Sequence, residues 1–401
     1  MSSAMPKGLL SAVVGNTPEA RGAVVNQAMR LSPHTVVLAV SIQHTTEGEY
    51  PTVQRFVSGN DPRLRDTAPL SATGNPAVIL RQDLLSLKRA AGRPHVTLAL
   101  PTELDVLPFL VELWRTRIGS SSLEDHYEPA PILVGVDPAS FMADIGCVHR
   151  TVRLWNGSTR NDPLTPAEVA ARQIEAADAL VFPGPATSNG HRAAGVAALA
   201  SQLNSHALLV RPKGADDAEV ELPPSLVQPA AHGIADEWRS RLEPVTVPRS
   251  RRSSDQGVNS VLWRARRPLH PERLADALGT VMCGVVRSRG HLWLSSRPDS
   301  VVTWCSAGPH LELREAGFWL EAGAQHAWDA VSPQRRTLAS WFWHDYYGER
   351  RNEITFTGID LDAQRIRSTL AAALLTDAEL SLGRDGWIST PDPLLSDGDP
   401  P

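Results

Sequence analysis

Short, uninterrupted apolar runs that alternate with longer stretches of helical period restrict the fold more than any other feature. Leu9–Val14, Thr35–Ile42 (TVVLAVSI), His95–Leu100 (HVTLAL), Pro131–Val136 (PILVGV), Ala179–Phe182 and Ala207–Val210 are mostly apolar along their length. A strand with one face in water alternates apolar and polar residues. Runs like these belong to strands covered on both faces, as in a parallel sheet with helices above and below. Thr17–Leu31, Asp83–Arg89, Leu104–Ile118, Pro166–Ala177 and His191–Leu203 read as the intervening helices, with Glu168 in the first turn of the fourth. The class predicted for residues 1–212 is α/β, a mostly parallel sheet with helices on both faces.

The pattern stops after Arg211. Residues 213–257 hold Asp216, Asp217, Glu219, Glu221, the pair Pro223–Pro224 and the run PRSRRSSDQG, and read as a linker with a short helix near Ile234–Leu242. Strands resume over 258–382 with two helices, near Pro271–Leu278 and Asp362–Leu374, an α+β pattern. All of the eleven tryptophans except Trp114 and Trp155 lie at or after Trp238, so this half is built around large rigid side chains. Residues 383–401 form an acidic, proline-rich tail whose end is expected to be disordered.

Composition excludes several classes. No uncharged apolar run approaches the length of a membrane span, and residues 1–15 lack the apolar core of a signal peptide. Cys147, Cys283 and Cys305 lie far apart, which is no disulfide framework and fits a reducing cytoplasm. A net charge of -5 gives the whole chain no electrostatic reason to bind nucleic acid.

The first strand–turn–helix is where a phosphate loop, G-x-x-x-x-G-K-[ST], would sit. Its amides cradle phosphates, its lysine neutralises them and its hydroxyl holds magnesium. The segment reads Gly15-Asn16-Thr17-Pro18-Glu19-Ala20-Arg21-Gly22-Ala23-Val24. Whether Gly15 is taken as the first glycine or Gly22 as the second, the lysine–hydroxyl pair is missing. Pro18 removes an amide and Glu19 adds negative charge. Arg21 is a partial replacement for the lysine, and the plain reading is an ordinary strand-to-helix turn.

From Val261 to Trp319 the chain runs VLWRARRPLHPERLADALGTVMCGVVRSRGHLWLSSRPD, then a strand, then EAGFW. This resembles the C-terminal domain of the CobW family, the zinc- and cobalt-associated branch of the P-loop GTPases. The resemblance is strong over 258–395 and weak but collinear over 8–210. It implies a P-loop NTPase-like first domain and a CobW-type second domain, with GTP and magnesium as cofactors. Gln173, Ala177, Asp178 and Leu203-Asn204-Ser205-His206-Ala207 match family segments.

Other family motifs are altered. HVTLALPTELDVLPF occupies the family's magnesium-feeding segment, with Thr102 and Glu103 its polar candidates. Their plain reading is a helix N-cap and a first-turn acid. Asp137 matches the family's acidic strand end, or is a turn aspartate. Phe182-Pro183-Gly184-Pro185 replaces the guanine-reading Asn-Lys-x-Asp. The family's thiolate motif falls on Gly74–Leu85, where no cysteine remains, so zinc is not expected at that site. His291 and His344 read as packed or capping histidines rather than ligands.

Among CobW-like proteins, the chain resembles those of actinobacteria that recruit a ribosome hibernation factor under zinc control. Their Cys-x-x-Cys is here Asn75 and Val78. The resemblance implies a cytoplasmic protein with a protein partner, the ribosome or a hibernation factor, and with ribosomal RNA as the one nucleic acid contacted. Arg264, Arg266, Arg267, Arg287 and Arg289, with the basic run Arg249, Arg251 and Arg252, are candidates for that contact. The alternative is a solvated face paired with Glu272, Asp276 and Asp299. Trp341-Phe342-Trp343 with Tyr346-Tyr347 is expected in the core, and is the leading contact patch if one face is exposed.

Three readings stay open. One is an adaptor with a degenerate nucleotide site and no competent GTPase activity. Another is a GTP-dependent zinc metallochaperone using Arg21, Thr17 or Thr102, and Glu103 or Asp137. The third retains only the C-terminal interaction domain.

Overall fold

The computed structural model describes residues 6–43, 50–58, 71–115, 117, 121–149, 164–184, 190–212, 220–230, 233–249, 251, 254–323 and 325–395. The chain divides into two compact units, Met1–Ala197 with His206–Arg239, and Ala198–Ser205 with Ser240–Pro401.

The first unit carries strands β1 (Gly8–Gly15), β2 (Val36–Gln43), β3 (Thr52–Ser58), β4 (Ser71–Thr73), β5 (His95–Ala99), β6 (Tyr127–Pro129), β7 (Leu133–Gly135), β8 (Ala179–Val181) and β9 (Leu208–Val210). Their order is β4-β3-β2-β5-β1-β7-β8-β9, with β6 also on β1. Among the described residues every pairing from β2 to β9 is parallel, and β2–β3 and β3–β4 are antiparallel. The expected mostly parallel α/β sheet is present. Its helices are α1 (Pro18–Leu31), α2 (Pro76–Ala91), α3 (Val106–Arg115), α4 (Pro138–Ile145) and α5 (Pro166–Ala176), with the larger parts of α6 (Gly190–Leu203) and α7 (Ile234–Leu242), whose last residues are assigned to the second unit. α1 and α5 open on threonine caps followed by proline at the first helical position, so the orphan amides and the missing proline N–H coincide.

Apolar period does not announce β3, because its polarity is inverted. Arg55 points inward to Asp83 on α2, at 3.3 Å with both side chains buried, while Phe56 is 64% exposed. Much of the stretch expected as linker is built into the units. Val220, Leu222 and Leu226 share a core with Val13, Val24 and Ala28, and buried Trp238 meets Trp114 edge-on at 6.0 Å. Single apolar residues among prolines and acids have no period to reveal them.

The second unit is an antiparallel sheet, order β10-β14-β11-β12-β13, of β10 (Val258–Ala265), β11 (Val285–Leu292), β12 (Ser300–Ala307), β13 (His310–Phe318) and β14 (Asn352–Ile359). Helices α8 (Pro271–Val281) and α11 (Ala363–Ala372) cover one face, packing Leu274, Ile366 and Leu370 on Val261, Trp263, Trp304 and Phe356. α9 (Gln325–Ala330) and α10 (Pro333–Trp341) follow β13, and α12 (Asp377–Ser381) and α13 (Gly383–Ile388) begin the tail. The tail is held as far as Leu395. Trp387 meets Trp293 edge-on at 6.1 Å, Ser296 donates to Asp392 at 2.6 Å, and Leu394 and Leu395 pack on the core. Among the described residues no helix is long and apolar enough to cross a membrane.

Candidate functional site

The carboxyl ends of β1, β5 and β7 meet where chain order reverses about β1, the position at which open α/β sheets bind ligands. Gly15, Asn16, Thr17, Arg21 and Asp137 gather there, but in arrangements that satisfy one another. β1 ends at Gly15 and α1 starts at Pro18, so only Asn16 and Thr17 lie between. A phosphate loop needs a longer wrap of backbone amides between its strand and helix. The Thr17 hydroxyl accepts the Ala20 amide at 3.0 Å, the Thr17 carbonyl accepts the Arg21 amide, and Pro18 has none. Gly22 lies inside α1, and a Cβ there would meet nothing within 4 Å, so no close approach requires glycine at this position. Gly15 and Gly135 differ. Their Cβ atoms would lie 2.7 Å from the Arg21 amide and 2.5 Å from the Ala20 carbonyl, so both permit α1 to sit directly on the strand ends.

Arg21 donates to the Leu100 carbonyl at 2.8 Å, just past β5. Asn16 and Asp137 exchange hydrogen bonds, the Asn16 amide to the Asp137 carbonyl at 3.0 Å and the Asp137 amide to Asn16 Oδ1 at 2.7 Å. The Asp137 carboxylate caps α4 by accepting the Ser140 amide at 2.8 Å. Asp144, in the last turn of α4, has its carboxyl pushed up to about 6, first by burial and then by the negative charge of Asp137. Thr102 and Glu103 do not open α3, which begins at Val106; Glu103 is exposed and the Thr102 carbonyl accepts from Gln173. The cap expected at Thr102 is thus displaced by a turn that runs to buried Asp105, which Arg172 holds at 2.6 Å. Where a guanine-reading aspartate would follow β8, Phe182 is buried with the Arg211 guanidinium 5.8 Å over its ring.

The residues present do not fit a nucleotide with its magnesium. The loop is too short, the Arg21 guanidinium in α1 is bound to backbone, and Thr17 and Asp137 cap helices. Nor does the Asn75–Val78 stretch offer thiolates: Asn75 Oδ1 caps α2 by accepting the Val78 amide at 3.1 Å, while its Nδ2 donates to Glu112 at 3.0 Å. Among the described residues no group of three or more His, Cys, Asp and Glu is arranged to hold a metal ion.

In the second unit only Arg287 of the five candidate arginines is buried; Arg264 is exposed, and Arg266, Arg267 and Arg289 are half-buried. Arg287 is buried and donates to the Ser306 carbonyl at 3.0 Å, so it is no surface residue. Arg264 pairs with Glu353 at 2.5 Å, Arg267 with Asp377 at 2.7 Å, and Arg289 donates to the Arg241 carbonyl. Arg266 is half-buried and desolvated, which lowers its pKa despite the nearby Glu353 charge. Asp299, expected to face these arginines, instead binds Arg350 and Arg384. Arg249 and Arg251 are exposed, and Arg252 lies outside the described residues. His291 is fully buried against Trp319, and His344 Nδ1 accepts the Tyr346 amide at 3.1 Å, so one is packed and the other caps a turn.

The aromatic block departs from the core expected for it. Trp341 is 81% exposed and Tyr346 74%. The ion pair of Arg335, on the same helix as Trp341, with Glu349 is buried, and Glu349 also accepts the Leu320 amide. Arg264 and Arg351 lie over the Phe342 ring at 5.5 and 4.3 Å.

Residues 258–374 match the family described as the cobalamin synthesis protein cobW C-terminal domain. A protein of Mycobacterium tuberculosis named a zinc chaperone is 31% identical over 332 residues, which span 80% of this chain and 78% of that one. The zinc-regulated GTPase metalloprotein activator 1 of Dictyostelium discoideum is 33% identical over 164 residues, 40% of this chain and 34% of its own. The zinc-bound YjiA GTPase from E. coli aligns over 92% of this chain and all of its own, at 12% identity and a TM-score of 0.35.

Proposed function

Because this chain belongs to the CobW family of P-loop GTPases, we propose that it is a member that acts by protein contact and does not turn over GTP. The observation that carries this reading is the two-residue β1–α1 connection, followed in α1 by Arg21, whose guanidinium already serves the Leu100 carbonyl. Losing a lysine–phosphate contact weakens binding by about 2–4 kcal/mol in a partly desolvated site. Removing magnesium and guanine contacts weakens it further. The partner proposed is the ribosome or a ribosome hibernation factor. It would be met through the exposed Trp341, Trp343 and Tyr346, since tryptophan, tyrosine and arginine dominate contact energy.

Calorimetric titration of the full chain with GTP and magnesium tests the reading. The expected result is no binding tighter than about 1 mM. Micromolar affinity that falls on Arg21→Ala would sink it. A second reading, a zinc metallochaperone using substitute residues, is favoured by the names of the two relatives, a zinc chaperone and a zinc-regulated activator. One equivalent of zinc retained after dialysis would favour it over the adaptor.

A further inference from the structure

The segment from Leu100 to Asp105 closes the crevice beside β1, and it is fastened along its length. The Leu100 amide donates to the Val13 carbonyl at 2.9 Å, and Arg21 reaches the Leu100 carbonyl from α1 at 2.8 Å. From α5, Gln173 donates to the Thr102 carbonyl and Arg172 binds Asp105 at 2.6 Å. Across β1, the exchange between Asn16 and Asp137 closes the other half of the crevice. Arg21 holds its position because Gly15 lacks the Cβ that would lie 2.7 Å from its amide.

We propose that Arg21 is a built-in occupant of the switch-point crevice, a positioning residue that holds the 100–105 loop in one conformation without any ligand. A guanidinium donating to a buried carbonyl makes a charge-assisted bond, and only bound cations or other fixed donors could replace it there. Loops that respond to a ligand are drawn from segments of low local stability. This one is pinned from two helices and a strand, so the unit presents one surface at all times. The inference rests on the reading that the site does not take GTP, and it explains what fills the site instead.

Hydrogen exchange of the full-length protein, with and without GTP and magnesium, tests it in the wild type, Arg21→Ala and Arg172→Ala. In the wild type, peptides spanning 100–105 should exchange slowly and identically with and without nucleotide. Arg21→Ala should speed them by about tenfold or more while peptides of β11 and β14 stay unchanged. Arg172→Ala should act in the same direction from the Asp105 end. Should Arg21→Ala fail to fold, Arg21→Lys, which keeps the charge but not the planar fork, should give an intermediate acceleration. Unchanged exchange in the arginine variants, or wild-type exchange at the rate of unstructured chain, overturns the proposal. Heat on GTP addition with the loop still protected and still dependent on Arg21 would defeat the GTP reading alone. No heat together with Arg21-independent exchange would defeat the lock alone.

Discussion

Asp144 carries its carboxylate in the last turn of α4, half-buried, with Asp137 nearby and the negative end of the helix dipole beneath it. Its pKa rises from the usual 3.8 to about 6. Between those values the folded chain holds a proton that the unfolded chain has lost, so this group makes stability fall as pH rises through the window. Asp144→Asn should therefore gain stability over the wild type as pH goes from 4 to 7, by about 1 kcal/mol after solvent screening. Urea unfolding at pH 4, 5, 6 and 7 reads this directly; a gap that stays constant with pH rejects the assignment. Residue identity alone showed Asp137 as a strand-end acid, and its capping of Ser140 agrees with the plain reading of a turn aspartate. That Asp144 lay beside it was not legible, because α4 is only eight residues long and falls between two recognised elements.

At the scale of elements, caps and burial explain which parts of the chain could be read. α1 and α5 begin at Thr17 and Thr165 because a hydroxyl, a following proline and a first-turn glutamate all agree. α2 is capped at Asn75, well ahead of the Asp83–Arg89 stretch that marked it in sequence, and its cap is joined to α3 through Glu112. Asn75→Ala removes the cap and leaves Glu112, whose pKa burial already raises, without the bond that lowers it. A loss of about 1–2 kcal/mol is expected. Asn75→Asp should keep the cap yet remain less stable than the wild type at neutral pH, since two carboxylates would then face each other. Chemical denaturation of the pair decides this, and a neutral Asn75→Ala would refute it. β3 shows the limit of period as a signal: Arg55 is inside because Asp83 is there to meet it, a fact of another element.

Across the molecule, the two units differ in where their polar groups go. In the first, the polar side chains at the strand ends bind one another and the backbone. In the second, Arg264 and Arg267 of the arginines marked as a contact surface are in ion pairs, Arg287 is buried, and the aromatic block marked as core has Trp341 and Tyr346 on the outside. If this patch carries the partner, Trp341→Ala with Tyr346→Ala should leave the melting temperature unchanged, because the exposed rings contribute little to the core. Co-sedimentation with purified ribosomes, with and without a hibernation factor, should drop at least about tenfold. Undiminished co-sedimentation would remove the patch from the interface.

Sequence by itself determined the class of each unit, the strands and helices with strong period, and the loss of the lysine, the guanine-reading aspartate and the cysteines. These are properties of local pattern and of residue type, which need no knowledge of neighbours. Tertiary structure alone decided that Arg21 faces a carbonyl, that Asn16 and Asp137 close on each other, that Arg287 is interior and Trp341 is not. An arginine or a tryptophan has the same letter whether buried or exposed. Its role is set by which partner the fold places within reach, and that partner lies far along the chain, 79 residues away for Arg21 and 19 for Arg287.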